Sequence, residues 1–185
     1  RVDGMLIGGG MANTFLLAQG VSIGTSLAEP ELTGEASEIL ARAQERGVVI
    51  ALPVDVVVAP SLDSDGKVVP IDQIPTDHAI YDIGPETISE FSRRIAGART
   101  IFWNGPMGVF ERPQFARGTL EIARAVAAAS AYTVVGGGDS IAALELAGVA
   151  DRISHVSTGG GASLEFIEGR ALPGIVALAQ DEVSG

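Results

Sequence analysis

The order of patterns along the chain predicts an α/β domain with a mainly parallel sheet, and three observations carry that prediction. Short β-branched runs alternate with apolar stripes at helical spacing, the arrangement of βαβ units. Several of those runs end in glycine: Leu6–Met11 (LIGGGM), Thr133–Ser140 (TVVGGGDS) and Val156–Ala162 (VSTGGGA), with a fourth ending at Asn104, Gly105 and Pro106. Helix patterns follow the glycines. In a parallel sheet such ends share the carboxyl edge, where helix starts leave backbone N–H groups free to meet an anion.

Taken in order, Gly4–Gly8 predicts a strand entering the first glycine run, and Met11–Gln19 a helix with Ala12, Phe15, Leu16 and Gln19 on one side, stopped by Gly20. Val21–Glu31 is irregular. Thr33 opens a second helix with the stripe Ala36, Ile39, Leu40 and Ala43, closed by Gly47. Strands follow at Val48–Leu52 and, after Pro53, at Val54–Ala59. Pro60–Pro75 has no regular pattern, and Ser64–Lys67 reads as a hairpin tip or an exposed loop. Ala79–Ile83 is a strand. Pro85 suits a first helical position, ahead of Ile88, Phe91 and Ile95, and Gly97 ends that helix. Thr100–Asn104 is the next strand. A long helix from Pro113 carries Phe115, Thr119, Ile122, Val126 and Ala129 on one face. Tyr132–Val135 and Arg152–Ser157 are strands, Asp139–Leu146 and Gly161–Glu168 helices, and Leu172–Leu178 a closing segment. The predicted class is a three-layer, Rossmann-like domain spanning residues 1–185.

Composition narrows the function. The chain has 185 residues, 46% of them hydrophobic, which suits one domain with a core between two helix layers. It has no cysteine, which excludes disulfides and thiolate metal sites. A net charge of −11, from 23 acidic and 12 basic residues, argues against nucleic-acid binding by phosphate neutralisation. The same charge would repel a nucleotide unless backbone amides and a cation bind it. The one lysine, Lys67, sits in the turn-like stretch. No apolar run approaches the roughly 18 residues needed to span a bilayer and no signal peptide is visible, so a cytoplasmic location is expected.

Three familiar site patterns fail. Gly8-x-Gly10-x-x-Asn13 lacks the third glycine of a dinucleotide fingerprint, and Glu29 and Glu31 lie in an irregular stretch, which disfavours a dehydrogenase. The P-loop pattern and the G-x-S-x-G nucleophile elbow are absent. What remains is phosphate binding by amides at helix starts. Asp139 at such a start suits a magnesium ion bridging phosphates, or a helix N-cap; Ser140 too can be a helix N-cap. Asn104 suits a phosphate contact or a turn. Glu111 suits ribose hydroxyls or a cap for the helix after it. His78 and His155 lack metal spacing and are read as non-catalytic.

WNGPMGVFE at Trp103–Glu111, GGGDS at Gly136–Ser140 and STGGGASLEFIEG at Ser157–Gly169 resemble signature segments of the phosphoglycerate kinases. IGGGMANTFLLAQG at Ile7–Gly20, LPVD at Leu52–Asp55, DIGP at Asp82–Pro85 and LPG at Leu172–Gly174 resemble the same family in the same order. The resemblance covers nearly the whole chain. It implies a two-domain kinase whose C-terminal domain binds magnesium with ADP or ATP, and whose N-terminal domain binds 3-phosphoglycerate. This chain is similar to most of the C-terminal domain, so a fragment is expected, a family strand with its lysines falling before Arg1.

Carried over residue by residue, Gly9 and Gly10 resemble the adenine wall, Ile80 its base side, and Glu111 the ribose ligand. Asn104 and Pro106 resemble residues beside the phosphates. Gly137, Gly138, Asp139 and Ser140 resemble the phosphate segment, with Asp139 the magnesium ligand. Gly159, Gly160 and Gly161 resemble the catalytic helix start facing the transferring phosphoryl group. Ile80 and Tyr81 stand where the family has Gly and Leu. The implied activity is reversible phosphoryl transfer from 1,3-bisphosphoglycerate to ADP in glycolysis, by a monomeric full-length enzyme. The alternative is a non-catalytic nucleotide-binding module.

Overall fold

The computed structural model describes residues 2–157, 159, 161–173 and 176. Its elements alternate as the pattern requires: β1 (Gly4–Leu6), α1 (Gly9–Ala18), α2 (Thr33–Glu45), β2 (Val49–Ala51), β3 (Asp55–Ala59), β4 (Lys67–Pro70) and β5 (Ala79–Ile83). Then come α3 (Pro85–Ala96), β6 (Thr100–Asn104), α4 (Arg117–Ala128), β7 (Tyr132–Gly136), α5 (Gly138–Ala147), β8 (His155–Ser157) and α6 (Gly161–Glu168). Among the described residues, β1 pairs with β2 and β6–β7–β8 pair in that order, all parallel. The third unit, β4–β3–β5, is antiparallel, with a register shift between Val57 and Val58. The fold is a Rossmann-like α/β domain with mainly parallel pairing.

The main core lies between the parallel strands and α3, α4 and α5. Phe91, Ile122, Val126, Val135 and Leu144 are all buried there, with Trp103. The predicted stripes on α3 and α4 contribute Phe91, Ile95, Ile122 and Val126 to it. A smaller cluster joins Ile7, Ala12 and Phe15 to Ala36. A third, of Val56, Val58, Val69 and Ile74, belongs to the antiparallel unit.

Several elements differ from the sequence expectation. The strand expected over Arg152–Ser157 spans only His155–Ser157, Arg152 closing a 3-10 turn before it. Helix α1 begins inside the first glycine run, with Gly8 as its N-cap. The Pro60–Pro75 stretch contains a strand, β4, whose alternation (only Val69 buried) is short and ends in a proline that an edge position tolerates. Pro113–Phe115 forms a separate 3-10 turn, and α4 starts at Arg117. The α2 stripe buries only Ala36 fully, because the two short strands beneath it leave Ile39, Met5 and Val49 exposed. The Leu172–Leu178 segment falls partly outside the described residues. No described helix is long and apolar enough to cross a membrane.

Two of the quoted segments, LPVD and DIGP, carry buried carboxylates that start helices elsewhere. Asp55 Oδ1 and Oδ2 accept from the Thr87 and Glu86 amides at 2.7 and 3.0 Å, closing the first turn of α3. Asp82 Oδ2 accepts from the Gly118 amide at 2.6 Å, in the first turn of α4. Each satisfies donors that a helix start leaves without intrahelical partners.

Candidate functional site

The carboxyl edge gathers the glycine-bearing ends. Register sets Asn104 opposite Gly136 and Gly136 opposite Ser157, so the ends of β6, β7 and β8 lie side by side. The first glycine run joins them by contact: the Gly9 amide donates to the Met107 carbonyl at 3.0 Å. A Cβ at Gly8 would stand 2.5 Å from Met107 Sδ. Gly9 itself has φ 62°, with Pro106 O 3.1 Å from its would-be Cβ.

Loop Gly105–Val109 is held from every side. The Gly105 amide donates to Ser140 Oγ at 2.7 Å, and the Met107 and Gly108 amides to Thr119 Oγ1 at 3.0 and 3.3 Å. The Val109 amide donates to Tyr81 O at 2.8 Å. Trp103 Nε1 donates to Gly105 O at 2.8 Å. Every amide of this loop is therefore engaged within the protein, Pro106 having none. Asn104, just before the loop, is exposed, and Pro106 within it is half-buried.

Helix α5 presents the opposite case. Its N-cap, Gly137, has φ 89° and no capping side chain. The Asn104 amide lies beside it, Nδ2 at 3.2 Å from where a Cβ would be. Gly138 has open space around it. The first-turn amides lack intrahelical acceptors and add the positive end of the helix dipole. Of the two options for Asp139, the cap is not taken: it stands exposed in the first turn, and Gly137 holds the N-cap position. Ser140 is fully buried, its hydroxyl on Gly105 and not toward solvent.

No group of three or more His, Asp and Glu among the described residues could hold a metal by itself. A lone exposed carboxylate at a helix start still fits magnesium, which is commonly held by one or two carboxylates together with substrate phosphates.

Gly10 lies within van der Waals reach of Leu27, whose side chain is 81% exposed, beside exposed Met11. The Leu27 loop is fixed from α1: buried Asn13 Nδ2 donates to Leu27 O at 3.0 Å, and the Glu29 amide donates to buried Thr14 Oγ1 at 3.0 Å. Ile80 donates its amide to Ser26 Oγ at 2.8 Å, while its side chain packs on the antiparallel cluster. Tyr81 packs on Phe115, ring centroids 4.9 Å apart. Glu111 is exposed and gives no capping bond to the following turn, where Arg112 holds the N-cap position. Gly159 and Gly161 flank the start of α6, with Gly161 in open space. Gly160 lies outside the described residues. His78 bonds exposed Asp77, and His155 stands exposed on β8, away from the glycine ends.

Burial raises the Asp82 carboxyl to about 7, against the lowering pull of the Gly118 and Ile83 amides and of Arg117. In the sequence Asp82 stands out only as part of a motif, and Thr119 reads as a core position. Their signal was a polar residue in a buried stripe, the same signal that Asn13 and Thr14 give beside Ala12 and Phe15.

Comparison with known proteins adds the family. Residues 1–170 match the family described as Phosphoglycerate kinase. The chain is 56% identical to the phosphoglycerate kinase of Chloroflexus aurantiacus over 187 residues, covering 98% of this chain and 47% of that protein. Identity is also 56% to the Thermomicrobium roseum phosphoglycerate kinase, over 183 residues with the same coverages, 98% and 47%. Among solved structures, Coxiella burnetii phosphoglycerate kinase superposes with a TM-score of 0.89 at 48% identity, over 92% of this chain and 45% of that one. The Pyrococcus horikoshii enzyme gives 0.84 at 36% identity, over 97% and 45%. The chain spans about half the length of the relatives it matches.

Proposed function

The chain belongs to the phosphoglycerate kinase family, and we propose that by itself it is a nucleotide-binding module for ADP or ATP with magnesium, without appreciable turnover. One observation carries this: the open start of α5, with exposed Asp139, adjoins Asn104 at the end of β6, and the loop after Asn104 packs on the first glycine run. The chain then corresponds to the nucleotide-binding C-terminal half of a two-domain kinase.

In that role the Gly138 and Asp139 amides bind phosphate oxygens, Asn104 and Pro106 border them, and Ser140 holds the Gly105 turn. Gly9, Gly10 and Ile80 border the base, and Glu111 takes the ribose hydroxyls. Asp139 holds magnesium, which when bound offsets the phosphate charge that a chain of net −11 would otherwise repel.

In a protein of the relatives' full length, this half would contribute to reversible phosphoryl transfer in the cytoplasm. A terminal ADP oxygen attacks phosphorus of the acyl phosphate in 1,3-bisphosphoglycerate, the acyl oxygen leaves as the carboxylate of 3-phosphoglycerate, and ATP forms. The protein contributes in-line positioning and charge stabilisation, with Gly159, Gly160 and Gly161 facing the moving group. The glycine runs carry no lysine or arginine, and Lys67 lies on exposed β4. A cation for the transfer and the site for 3-phosphoglycerate would come from the other half.

Calorimetry and thermal melting of the 185-residue chain with ADP test this. Binding that strengthens with magnesium is expected, with coupled-assay turnover far below the roughly 1–100 s⁻¹ typical of kinases. Ordinary kinase rates from the chain alone would overturn the module in favour of a complete enzyme.

A further inference from the structure

Asp82 and Thr119 touch none of the outward-facing site residues, yet they hold the loop that carries them. Asp82 is 1% exposed and wedged between two glycines: a Cβ at Gly108 or at Gly118 would collide with its carboxyl group. Its Oδ2 fixes the Gly118 amide and its Oδ1 the Ile83 amide. That settles the first turn of α4, and the next residue, fully buried Thr119, offers one hydroxyl to both Met107 and Gly108. The Met107 carbonyl in turn takes the Gly9 amide. One contact chain thus runs from Asp82 through Thr119 and Met107 to the first glycine run.

We propose that Asp82 and Thr119 are positioning residues for nucleotide binding: together they brace the Gly105–Gly108 loop, setting Asn104 beside the α5 start and Gly9 against Pro106 and Met107. The nucleotide part rests on the proposed function above; the brace itself does not. Neither residue reaches the edge through its own polar atoms, so each acts through the loop backbone.

Thr119 permits a clean test, because its hydroxyl and methyl can be removed separately. Thr119→Val keeps the shape and removes the acceptor; Thr119→Ser keeps the acceptor and removes a buried methyl. The single tryptophan, Trp103, bonded to Gly105 O, reports on the loop through acrylamide quenching. With ADP and magnesium chloride as the probe, at a temperature where every variant is folded, Thr119→Val should weaken binding about tenfold and raise quenching. Thr119→Ser should stay within about twofold on both readouts even where its melting temperature is lower. Asp82→Asn should follow Thr119→Val; if it does not fold, the threonine pair still decides. Equal affinity and equal quenching in the two threonine variants would overturn the brace. A wild-type chain that binds no ADP overturns the proposed function and the nucleotide role together, and the quenching series then supports or overturns the brace alone.

Discussion

Two kinds of glycine meet at the carboxyl edge. Gly8, Gly108 and Gly118 are hemmed in, by Met107 in the first case and by Asp82 in the other two. Gly105, Gly138 and Gly161 have no neighbour within 4 Å of a would-be Cβ. The triglycine spelling is the same after β1 and after β7, but the first run lets backbone pack on backbone and the second leaves an open helix start. Proximity of glycines therefore does not define the ligand surface. The space around each one does.

The largest effect should separate the two kinds outright. Gly108→Ala forces a methyl onto the Tyr81 carbonyl and the Asp82 backbone, neither of which can swing aside. Overpacking of that sort should cost about 3 kcal/mol, read as a lower midpoint in urea at unchanged slope. A loss under about 1 kcal/mol would mean that the loop relaxes, and the contrast with Gly138 would collapse.

The hemmed-in side should also carry a pH signature. The Asp82 carboxyl sits at about 7 in the fold against 3.8 in its ordinary state. Its native pKa is raised, so the native state keeps a proton that the unfolded chain has lost. That contribution is fully present below about 3.8 and is lost as pH rises through about 7. The slope can reach about 1.4 kcal/mol per pH unit. Asp82→Asn removes it, so the stability gap between wild type and variant should narrow from pH 5 to pH 8 in urea melts. A constant gap would place the charge of Asp82, with Arg117 its charged neighbour, outside the balance.

How much of this was legible depends on the range of the interaction. Strand β5 and helix α6 match their expected bounds, and α3 begins at Pro85 as read, because alternation, stripe spacing and proline act within a few residues. The alignment of the ends of β6, β7 and β8 follows from parallel pairing; the first glycine run, after the separate β1–β2 pair, joins them through Met107. Helix α4 starts at Arg117 and not at Pro113, because Asp82, 36 positions from Gly118, holds its first turn. Ser140 reads locally as a cap or a phosphate contact, yet its hydroxyl engages Gly105, 35 positions away. Strand β4 was lost among prolines because its partner, β3, and not its own pattern, makes it a strand. Local grammar reads the elements; buried polar side chains reaching across the fold write the joints.

On the open side, Gly138→Ala should behave in reverse of Gly108→Ala. Its φ is not in the left-handed region and its surroundings are empty. Restricting the unfolded chain should raise stability by about 0.4–1 kcal/mol. The added methyl stands where a phosphate oxygen would approach, so ADP affinity should fall while the melting temperature holds or rises. Affinity unchanged by the methyl would move the phosphates away from α5.

Asp139→Ala should perturb the fold least and test the site most directly. The carboxylate makes no capping bond, so only its interaction with the helix dipole is lost, about 0.5 kcal/mol. A true cap would have cost up to about 2 kcal/mol. The informative quantity is the sign of the effect on binding with and without the cation. In magnesium-free buffer the carboxylate repels the nucleotide phosphates, so its removal should leave ADP affinity equal or improved. With magnesium the same removal should weaken binding, because the ion loses its one protein ligand. Titrating ADP into both proteins by calorimetry, with magnesium chloride and with a chelator, gives the four values needed. A loss of equal size in both buffers would assign Asp139 a purely structural part and leave the open start of α5 to bind phosphate through its amides alone.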